Sequence, residues 1–444
     1  MSRSHGAHRR LLGALALPLG SLAQPAAAQL LEDVRTVVVP PEPPITTAQS
    51  VFIRNNEIPV ADRMLPAFSA QGLKLGNFDF FPGLAVGTFF DTNVFADNDR
   101  RRSDLALVVR PEATLRTSQG PYRLSAYARG DLRRYADYRT ENTEEGLGGV
   151  DGAVAIGPLS SLIAGASYGS LVEPRFAADS PINAAKPLEY TALTGYLGGT
   201  IEGASTRVIV RADLSKLDFR DTPDRSGGII DTDDRDRTRL QGLVRVERAI
   251  SDTVSIYAAG TANTIDYKNS FGNGLDRDSS GFGAYIGSNF DVTNLVHGDV
   301  RVGYIRQEFD LAGLRPISGL GLLGTVTYFP SRLLTVTAHG ESTVQDSGVP
   351  GTTGLLHKGG WLRGDYELRR YLIASLEAGY FDDTYRGQDR RDKLPYARAS
   401  AAYLSQHHWN ARVDYRYLAR HCDCTSGVQS FDDHRLSTTL TFQY

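Results

Sequence analysis

Several segments of this chain carry arginines and acids at alternate positions. These side chains are suited to binding charged ligands. Around residues 122–135, Arg123, Arg129 and Arg133 alternate with apolar residues and share their parity with Asp131. The same kind of position is occupied by Arg110, Arg116, Arg207, Arg211, Arg239, Arg245, Arg363, Arg412, Arg416 and Arg420. If these residues line an enclosed space, they could attract and conduct an anionic solute, as charged rings do in pores.

Acidic residues accompany the arginines on the same parity, which leaves a second interpretation open. They are Glu112, Asp131, Asp213, Glu247, Asp365, Glu367, Glu377 and Asp414. Arginine and carboxylate side chains at such positions can pair across strands and satisfy one another without contacting a ligand. Because the arginines named above outnumber these acids, we expect an interior that prefers anions.

Other residue types associated with catalysis or metal binding are scattered. The nine histidines lack a metal-ligand spacing, and we expect no Gly-x-Ser-x-Gly nucleophile elbow to place a serine for acyl transfer. His407 and His408 fall at a turn signal, where we expect solvated side chains, and the shared parity of His339 and Glu341 is common by chance. We therefore expect no enzymatic activity, no cofactor and no metal.

Two polar segments hold further potential ligands. Residues 221–236 contain six aspartates, which could hold a divalent cation near lipopolysaccharide, but without an ordered calcium-loop pattern a solvated loop is favoured. Cys422 and Cys424 could form a disulfide in a secreted protein, although a bridge across one residue is strained.

The polar positions alternate with apolar ones, which predicts strands that have two different faces. In residues 206–217, for example, Val208 and Val210 alternate with Arg207 and Arg211. Individual strands are about 12 to 16 residues long, whereas soluble strands are usually about 5 or 6. Alternation alone would also fit a soluble sheet with one buried face.

The spacing of turn signals favours a barrel. Residues typical of short turns recur about every 40 residues, and longer polar segments lie between these turn signals. The short signals lie near residues 119–120, 157–158, 203–204, 251–252, 293–294, 330, 369–370 and 407–408. The longer segments are 96–102, 140–145, 173–187, 221–236, 269–276, 310–315, 345–354, 384–391 and 421–430. This asymmetry predicts an all-β, transmembrane, antiparallel up-and-down barrel of about 18 strands, within a range of about 16 to 20. A β-propeller also repeats near this period, but its recurrent blade signatures are absent here.

The N-terminus resembles a secretory signal. Residues 1–28 combine Arg9 and Arg10, an apolar stretch and the small-residue site Ala26 to Ala28. Removing three arginines changes the formal charge from −3 to −6, so we expect no nucleic-acid partner. Residues 29–78 contain Pro40, Pro41, Pro43 and Pro44 and are expected to form an irregular periplasmic leader or a plug in the lumen. The barrel is predicted over residues 79–444.

The last strand ends in an aromatic residue. Leu440, Phe442 and Tyr444 share one parity, which resembles the C-terminal signal that the barrel-assembly machinery recognises in bacterial outer-membrane proteins. A bare edge strand would expose unpaired backbone groups. We expect it to pair with a first strand near residues 84–95, because a barrel in lipid must be closed. This predicts an integral outer-membrane protein in contact with outer-membrane lipid and lipopolysaccharide.

The beginning of the predicted barrel carries a distinctive set of residues. A Pro-containing strand over residues 76–84 is followed by Asp91, Asn93 and Phe95, then by Ser103 and Asp104, and by Arg110-Pro111-Glu112. This arrangement resembles the proteobacterial β-barrel porin family of the porin-2 type, which is often encoded with exopolysaccharide or capsule genes. The resemblance implies a barrel that exports extracellular polysaccharide, with polysaccharide-export components as partners, and it implies no catalytic residues. Asp91 and Asn93 are expected to shape a turn.

Two functions follow as hypotheses. The first is a passive channel for a polar, anionic solute or polymer. The second is a non-conducting scaffold or receptor in envelope polysaccharide assembly. An outer-membrane enzyme is the least favoured alternative.

Overall fold

The computed structural model describes residues 51–52, 57–63, 67–118, 120–270, 276–349, 351–405, 407–424 and 430–444. The predicted signal peptide and the proline-rich part of the leader lie outside these residues, as does Gln119 of the first turn signal.

Eighteen long antiparallel strands form a closed barrel within the described residues, which confirms the predicted architecture. Each strand pairs with its neighbours in sequence, and the last strand pairs with the first over Gly83–Asp91 and Arg435–Gln443. In chain order the strands are β1 Phe78–Asp91, β2 Asp104–Thr117, β3 Tyr122–Tyr135, β4 Thr143–Ala155, β5 Ser161–Glu173, β6 Leu188–Glu202, β7 Thr206–Phe219, β8 Arg237–Ala249, β9 Val254–Tyr267, β10 Ser279–Val292, β11 Val296–Phe309, β12 Ile317–Ser331, β13 Leu334–Gln345, β14 Gly354–Arg369, β15 Leu372–Arg386, β16 Arg390–Ser405, β17 Trp409–Cys424 and β18 Phe431–Gln443.

The two faces of the strands differ as the alternation predicts. Apolar side chains of one parity point outward, where Leu197 is 63% exposed and Ile286 is 68% exposed. Charged side chains of the other parity point inward, where Arg245 and Glu247 are buried. Because lipid has no hydrogen-bonding groups, an apolar outer band and a polar interior fit a barrel in a membrane.

The two ends of the barrel differ in the length of their connections. Each even-numbered strand from β2 to β16 is joined to the next strand by a short turn. The connections that follow the odd-numbered strands lie at the other end, and most of them are longer. Thr293 and Asn294 both have positive φ angles, of 59° and 56°, as tight hairpin turns between twisted strands require. The short-turn end corresponds to the periplasmic side of outer-membrane barrels and the loop end to the external side.

Two predicted loops are shorter than the sequence pattern indicates. Residues 384–391 and 421–430 were predicted as loops, but β15 extends to Arg386, β16 begins at Arg390 and β17 extends to Cys424. Strand that projects beyond the bilayer can carry polar residues on both faces, so the period-two signal disappears although the ladder continues.

In the described part of the chain, small elements alone lie outside the barrel wall. Leu73–Leu75 pairs with the start of β1, Thr222–Pro223 pairs with Ile229–Ile230, and three-residue 3₁₀ helices span Val60–Asp62, Arg139–Glu141 and Asp233–Arg235. Among the described residues, no helix is both long and apolar enough to cross a membrane.

Candidate functional site: the lumen and its two ends

All the arginines singled out from the sequence have the inward parity of their strands. Most of them contact carboxylates. Arg110 pairs with Asp131 at 2.8 Å, and Arg211 pairs with Asp213 at 2.7 Å. The further pairs are Arg129–Glu112, Arg133–Asp131, Arg207–Glu247, Arg245–Glu247, Arg363–Asp365, Arg412–Asp414 and Arg416–Asp433. Arg116 lies over the ring of Phe81 at 4.6 Å, and Arg123 is partly buried on β3. Pairing therefore occupies much of the positive charge of the wall.

The expected surplus of arginine over acid is wrong for the inner face. Sequence reasoning missed inward arginines at Arg237, Arg301, Arg390, Arg398 and Arg435. It also missed a larger set of inward acids: Asp79, Asp91, Asp104, Glu145, Asp151, Glu173, Glu202, Asp291, Asp299, Asp383, Asp392 and Asp433. These acids lie near strand ends or among glycines, where alternation is weak. When these acids are included, the inward carboxylates on the described strands are at least as numerous as the inward guanidinium groups. The electrostatic field in the lumen therefore depends on where the individual charges lie.

Arg239 and Arg301 differ from the paired arginines. Arg239 donates to Gln241 Oε1 at 2.9 Å, and the Arg301 guanidinium lies over the Tyr285 ring at 4.8 Å. Neither of them forms an ion pair with any residue that the structure describes. Their positive charge is therefore available to a solute in the lumen.

The external loop of residues 174–187, here called the crossing loop, extends across the lumen. It leaves the wall at β5, yet Phe176 packs against Phe381, Tyr396, Leu418 and Phe431 on β15 to β18. Along the closed sheet, those strands lie five to eight strands away from β5. A chain segment that joins two separate parts of the wall narrows the passage at the external end.

Polar contacts hold the crossing loop on the far wall. Arg420 Nη2 donates to Phe176 O at 2.5 Å, and Arg390 Nη2 donates to Ala178 O at 3.4 Å. The carboxylate of Asp179 accepts from the backbone N–H of Gly348 at 2.7 Å. These contacts satisfy backbone carbonyls that would otherwise be left unpaired in a buried place.

The near end of the crossing loop is also fixed. Arg175 pairs with Glu141 at 2.7 Å, and Arg235 pairs with Glu173 at 2.6 Å. Burial lowers the pKa of Arg235, but the carboxylate of Glu173 outweighs burial and the pKa is raised. Arg235 therefore stays charged and holds loop 220–236 against the crossing loop.

The crossing loop divides the external mouth. On one side a cavity of about 50 Å³ lies between the loop and β1, β3, β4 and β18, and both Arg435 and Asp433 line it. On the other side, buried Arg277 donates to Ser347 O at 2.5 Å and to the Asp234 carbonyl, which joins three external loops. The space beside Arg435 is therefore lined by charged side chains of both signs.

Two of the family-motif residues, Asp91 and Asn93, line this space. Asp91 accepts from the backbone N–H of Asn93 at 2.8 Å, and Asn93 accepts from that of Asp97 at 3.1 Å, which are the expected turn bonds. Arg435 also donates to Asp91 at 2.5 Å. Phe95 packs edge-on against Tyr138, and Asp104 accepts from the backbone of Tyr138 at 2.9 Å. Ser103 precedes β2, and Pro111 is paired with Leu84. These residues therefore join the first loop to the barrel seam.

The described part of the leader lies at the inner edge of the periplasmic end. The Arg207 guanidinium covers the Phe52 ring at 4.5 Å. Val60 N–H donates to Thr335 Oγ1 at 3.0 Å, and Arg63 pairs with Glu367 at 3.1 Å. Because these partners belong to β7, β13 and β14 next to short turns, the leader follows the rim and narrows this end too.

The last leader contacts reach the final strands. Gln443 Nε2 donates to Phe68 O at 2.9 Å, and a ring nitrogen of His407 hydrogen-bonds to Ser69 O at 3.0 Å. The expectation of a solvated side chain at His407 is therefore wrong. Its partner lies more than 300 residues earlier in the chain, which no local pattern could indicate.

A buried histidine that the sequence did not single out lies behind the crossing loop. His357 lies 2.5 Å from Asp383 and 3.4 Å from Glu341, and it stacks on Phe381. His339, which shares a parity with Glu341, instead stacks on Trp361. This trio supports the wall that receives Phe176.

The two polar segments with potential ligands are placed as follows. The exposed carboxylates of Asp221, Asp231 and Asp233 lie within 4.8 Å of one another. Cys422 and Cys424 form a disulfide. The C-terminal residues Leu440, Phe442 and Tyr444 point outward and are about half exposed or somewhat less.

The chain is similar to three solved outer-membrane proteins and matches one family model. No curated protein matches the chain by sequence. The solved outer membrane protein OpdK from Pseudomonas aeruginosa is 12% identical, covering 82% of this chain and 99% of its own, with a TM-score of 0.43. A mutant of the ferric enterobactin receptor PfeA from Pseudomonas aeruginosa is 9% identical, covering 82% and 80%, with a TM-score of 0.44. The FrpB iron transporter from Neisseria meningitidis is 9% identical, covering 82% and 81%, with a TM-score of 0.41.

The family model for "Putative beta-barrel porin 2" matches residues 65–444. With its closed 18-strand wall and this match, the chain belongs to that family of outer-membrane β-barrel porins.

Proposed function

We propose that the protein is a passive channel for polar solutes and that it prefers anions. The observation that carries the proposal is the closed wall with an apolar outside and a charged inside. A barrel of this strand number is wide enough to enclose water, and its passage is then set by what lies within the lumen. Here the crossing loop and the leader set the two narrow places.

The proposed anion preference depends on Arg239 and Arg301. Arg239 hydrogen-bonds to the neutral Gln241, and Arg301 stacks on Tyr285. Most other inward arginines are paired with carboxylates and contribute little net field. Two guanidinium groups on β8 and β11 therefore supply positive charge that a passing anion can use, as charged rings do in pores.

The test is single-channel recording of the purified barrel in a salt gradient. We expect the reversal potential to indicate anion preference, and the double variant R239Q/R301Q to move it toward the cation side. R248Q is the matched control, because Arg248 lies on the exposed outer parity of β8. A wild-type channel that prefers cations would refute the anion preference, whereas the absence of any conductance would refute the channel.

The solute that we favour is an acidic exopolysaccharide, on the basis of family resemblance alone. Deleting the gene and measuring surface polysaccharide tests this step separately from conductance. A normal polysaccharide level in the deletion strain, together with a conducting barrel, would support the channel and refute the polysaccharide as its solute. No catalytic activity is part of the proposal.

A scaffold or receptor is the second candidate, and the crossing loop favours it. Phe176 is buried on the far wall and the loop is fixed at both ends. A mouth held in this way could stay closed, in which case the external loops would dock envelope partners. Conductance of the wild-type barrel separates the two candidates.

A further inference from the structure

The outer face of β14 to β17 carries basic side chains at the external end, which we call the basic rim patch: Lys358, Arg386, Arg391, Lys393 and His421. Lys358 is paired with Asp382 in the ladder, Asp382 with Lys393, and Lys393 with His421. These four outward residues therefore form one row across four strands. Opposite residues in such a row have Cβ atoms about 5 Å apart, so one headgroup can contact several of them.

The patch keeps positive charge after its internal ion pairs are formed. Arg391 pairs with Asp382 at 2.5 Å, and Lys393 pairs with Asp423 at 2.7 Å. Exposed Lys358 and Arg386 form no ion pair with any described residue. Two acids thus face four permanent cations, and the side chain of Arg391 is still 51% exposed.

An aromatic side chain places the patch at the membrane surface. Tyr380 precedes Asp382 by two residues on β15, points outward and is 46% exposed. It is flanked in the ladder by Gly360 and Pro395. Tyrosine is enriched where the apolar membrane core meets the headgroups. Lys358 and Lys393 lie one row above Tyr380, and Arg391 and Arg386 lie two and three rows above it. Their charged groups are at headgroup level, with their aliphatic stems along the wall.

The opposite charge occupies another sector of the same rim. Near the external ends of β9 to β11 the outer face presents Asp266, Asp278, Glu308 and Asp310. Burial, together with the charges of Asp276 and Asp266, raises the pKa of Asp278. The neighbouring cations Lys268 and Arg306 are paired with Asp236 and Glu308. An anionic lipid is therefore drawn to β14–β17 rather than to the rim as a whole.

We propose that the basic rim patch binds the phosphate groups of a lipopolysaccharide molecule in the outer leaflet. Arginine and lysine form charge-assisted hydrogen bonds with phosphate oxygens. The acyl chains of the same lipid would lie against the apolar wall below Tyr380. The proposal does not depend on conduction, since the patch lies on the outer surface.

The test measures how lipopolysaccharide protects the full mature barrel against thermal unfolding in detergent, at physiological salt. The probes are rough-type lipopolysaccharide, the same lipid with its phosphates removed, and inorganic phosphate. We expect protection by the phosphorylated lipid alone. In K358Q/R386Q the apparent affinity should fall about 30-fold, from the typical contribution of two surface cations near an anionic membrane.

The matched control is K216Q/R306Q, which removes two cations from the outer face outside the patch and should retain wild-type affinity. Unheated gel mobility verifies that each variant is folded before lipid is added. Equal protection by the phosphate-free lipid, equal protection by inorganic phosphate, or equal losses in both double variants would each overturn the proposal.

Discussion

Replacing Phe176 with alanine should open the external end of the channel. The Phe176 ring is 93% buried, since its exposed fraction is 7%, and its partners are all on the far wall. Removing a buried phenylalanine side chain costs about 3 to 5 kcal/mol. If this energy stabilises the docked loop, the undocked population should rise by a factor on the order of 100 or more. Single-channel traces of F176A should then show frequent steps to a higher conductance.

A second substitution strengthens the perturbation. R420M removes the hydrogen bonds to the Phe176 and Ala177 carbonyls, and bonds from charged groups contribute about 1.5 to 3 kcal/mol each. Because these residues are in contact, the two effects will not simply add. We expect the double variant to remain in the high-conductance state.

The control for both variants is F282A, because Phe282 lies on the outward face of β10 and is 49% exposed. It loses the same ring without touching the loop, and its traces should match the wild type. If F176A and the double variant fold normally but keep wild-type conductance, the crossing loop does not limit passage and the reasoning fails.

Three other outcomes follow from the contacts described. Deleting residues 29–66 of the leader should raise conductance, since the contacts of Phe52, Val60 and Arg63 with the rim are lost. Deletion of residues 29–50 alone is the length control. Equal conductance of the two variants would refute the idea that the leader narrows the periplasmic end. E247Q should destabilise the barrel by about 3 to 5 kcal/mol in urea unfolding, because two buried arginines lose their shared carboxylate; D213N, at a more exposed pair, should cost less, and the reverse order would contradict this. Removing Phe442 to Tyr444 should lower the amount of protein in outer-membrane fractions, measured by immunoblot. Unchanged levels would show that these C-terminal residues are not an assembly signal.

The architecture could be predicted because its causes are local. Alternation in a segment such as residues 206–217 depends only on which side of one strand meets lipid. Turn chemistry acts over two to four residues, as at Thr293 and Asn294. Strand count and closure follow once these local signals repeat along the chain.

The contents of the lumen could not be predicted, because their causes are distant in sequence. Phe176 lies in a polar segment that has the composition of a solvated loop, and its partners begin some 200 residues later. The carbonyl partner of His407 is in the leader. The balance of charge was also missed, since acids such as Asp151 and Asp383 lie in stretches with no clean alternation. A pattern can assign a residue to a face, but it cannot identify the partner on the other side of a pore.

The leader contacts have a consequence for the order of maturation. Phe68 and Ser69 are synthesised more than 300 residues before Gln443 and His407, to which they are bonded. Phe68 and Ser69 cannot settle until β17 and β18 are in place. The N-terminal segment is therefore seated at the end of biogenesis, and protease resistance of residues 57–70 would report that a barrel is complete.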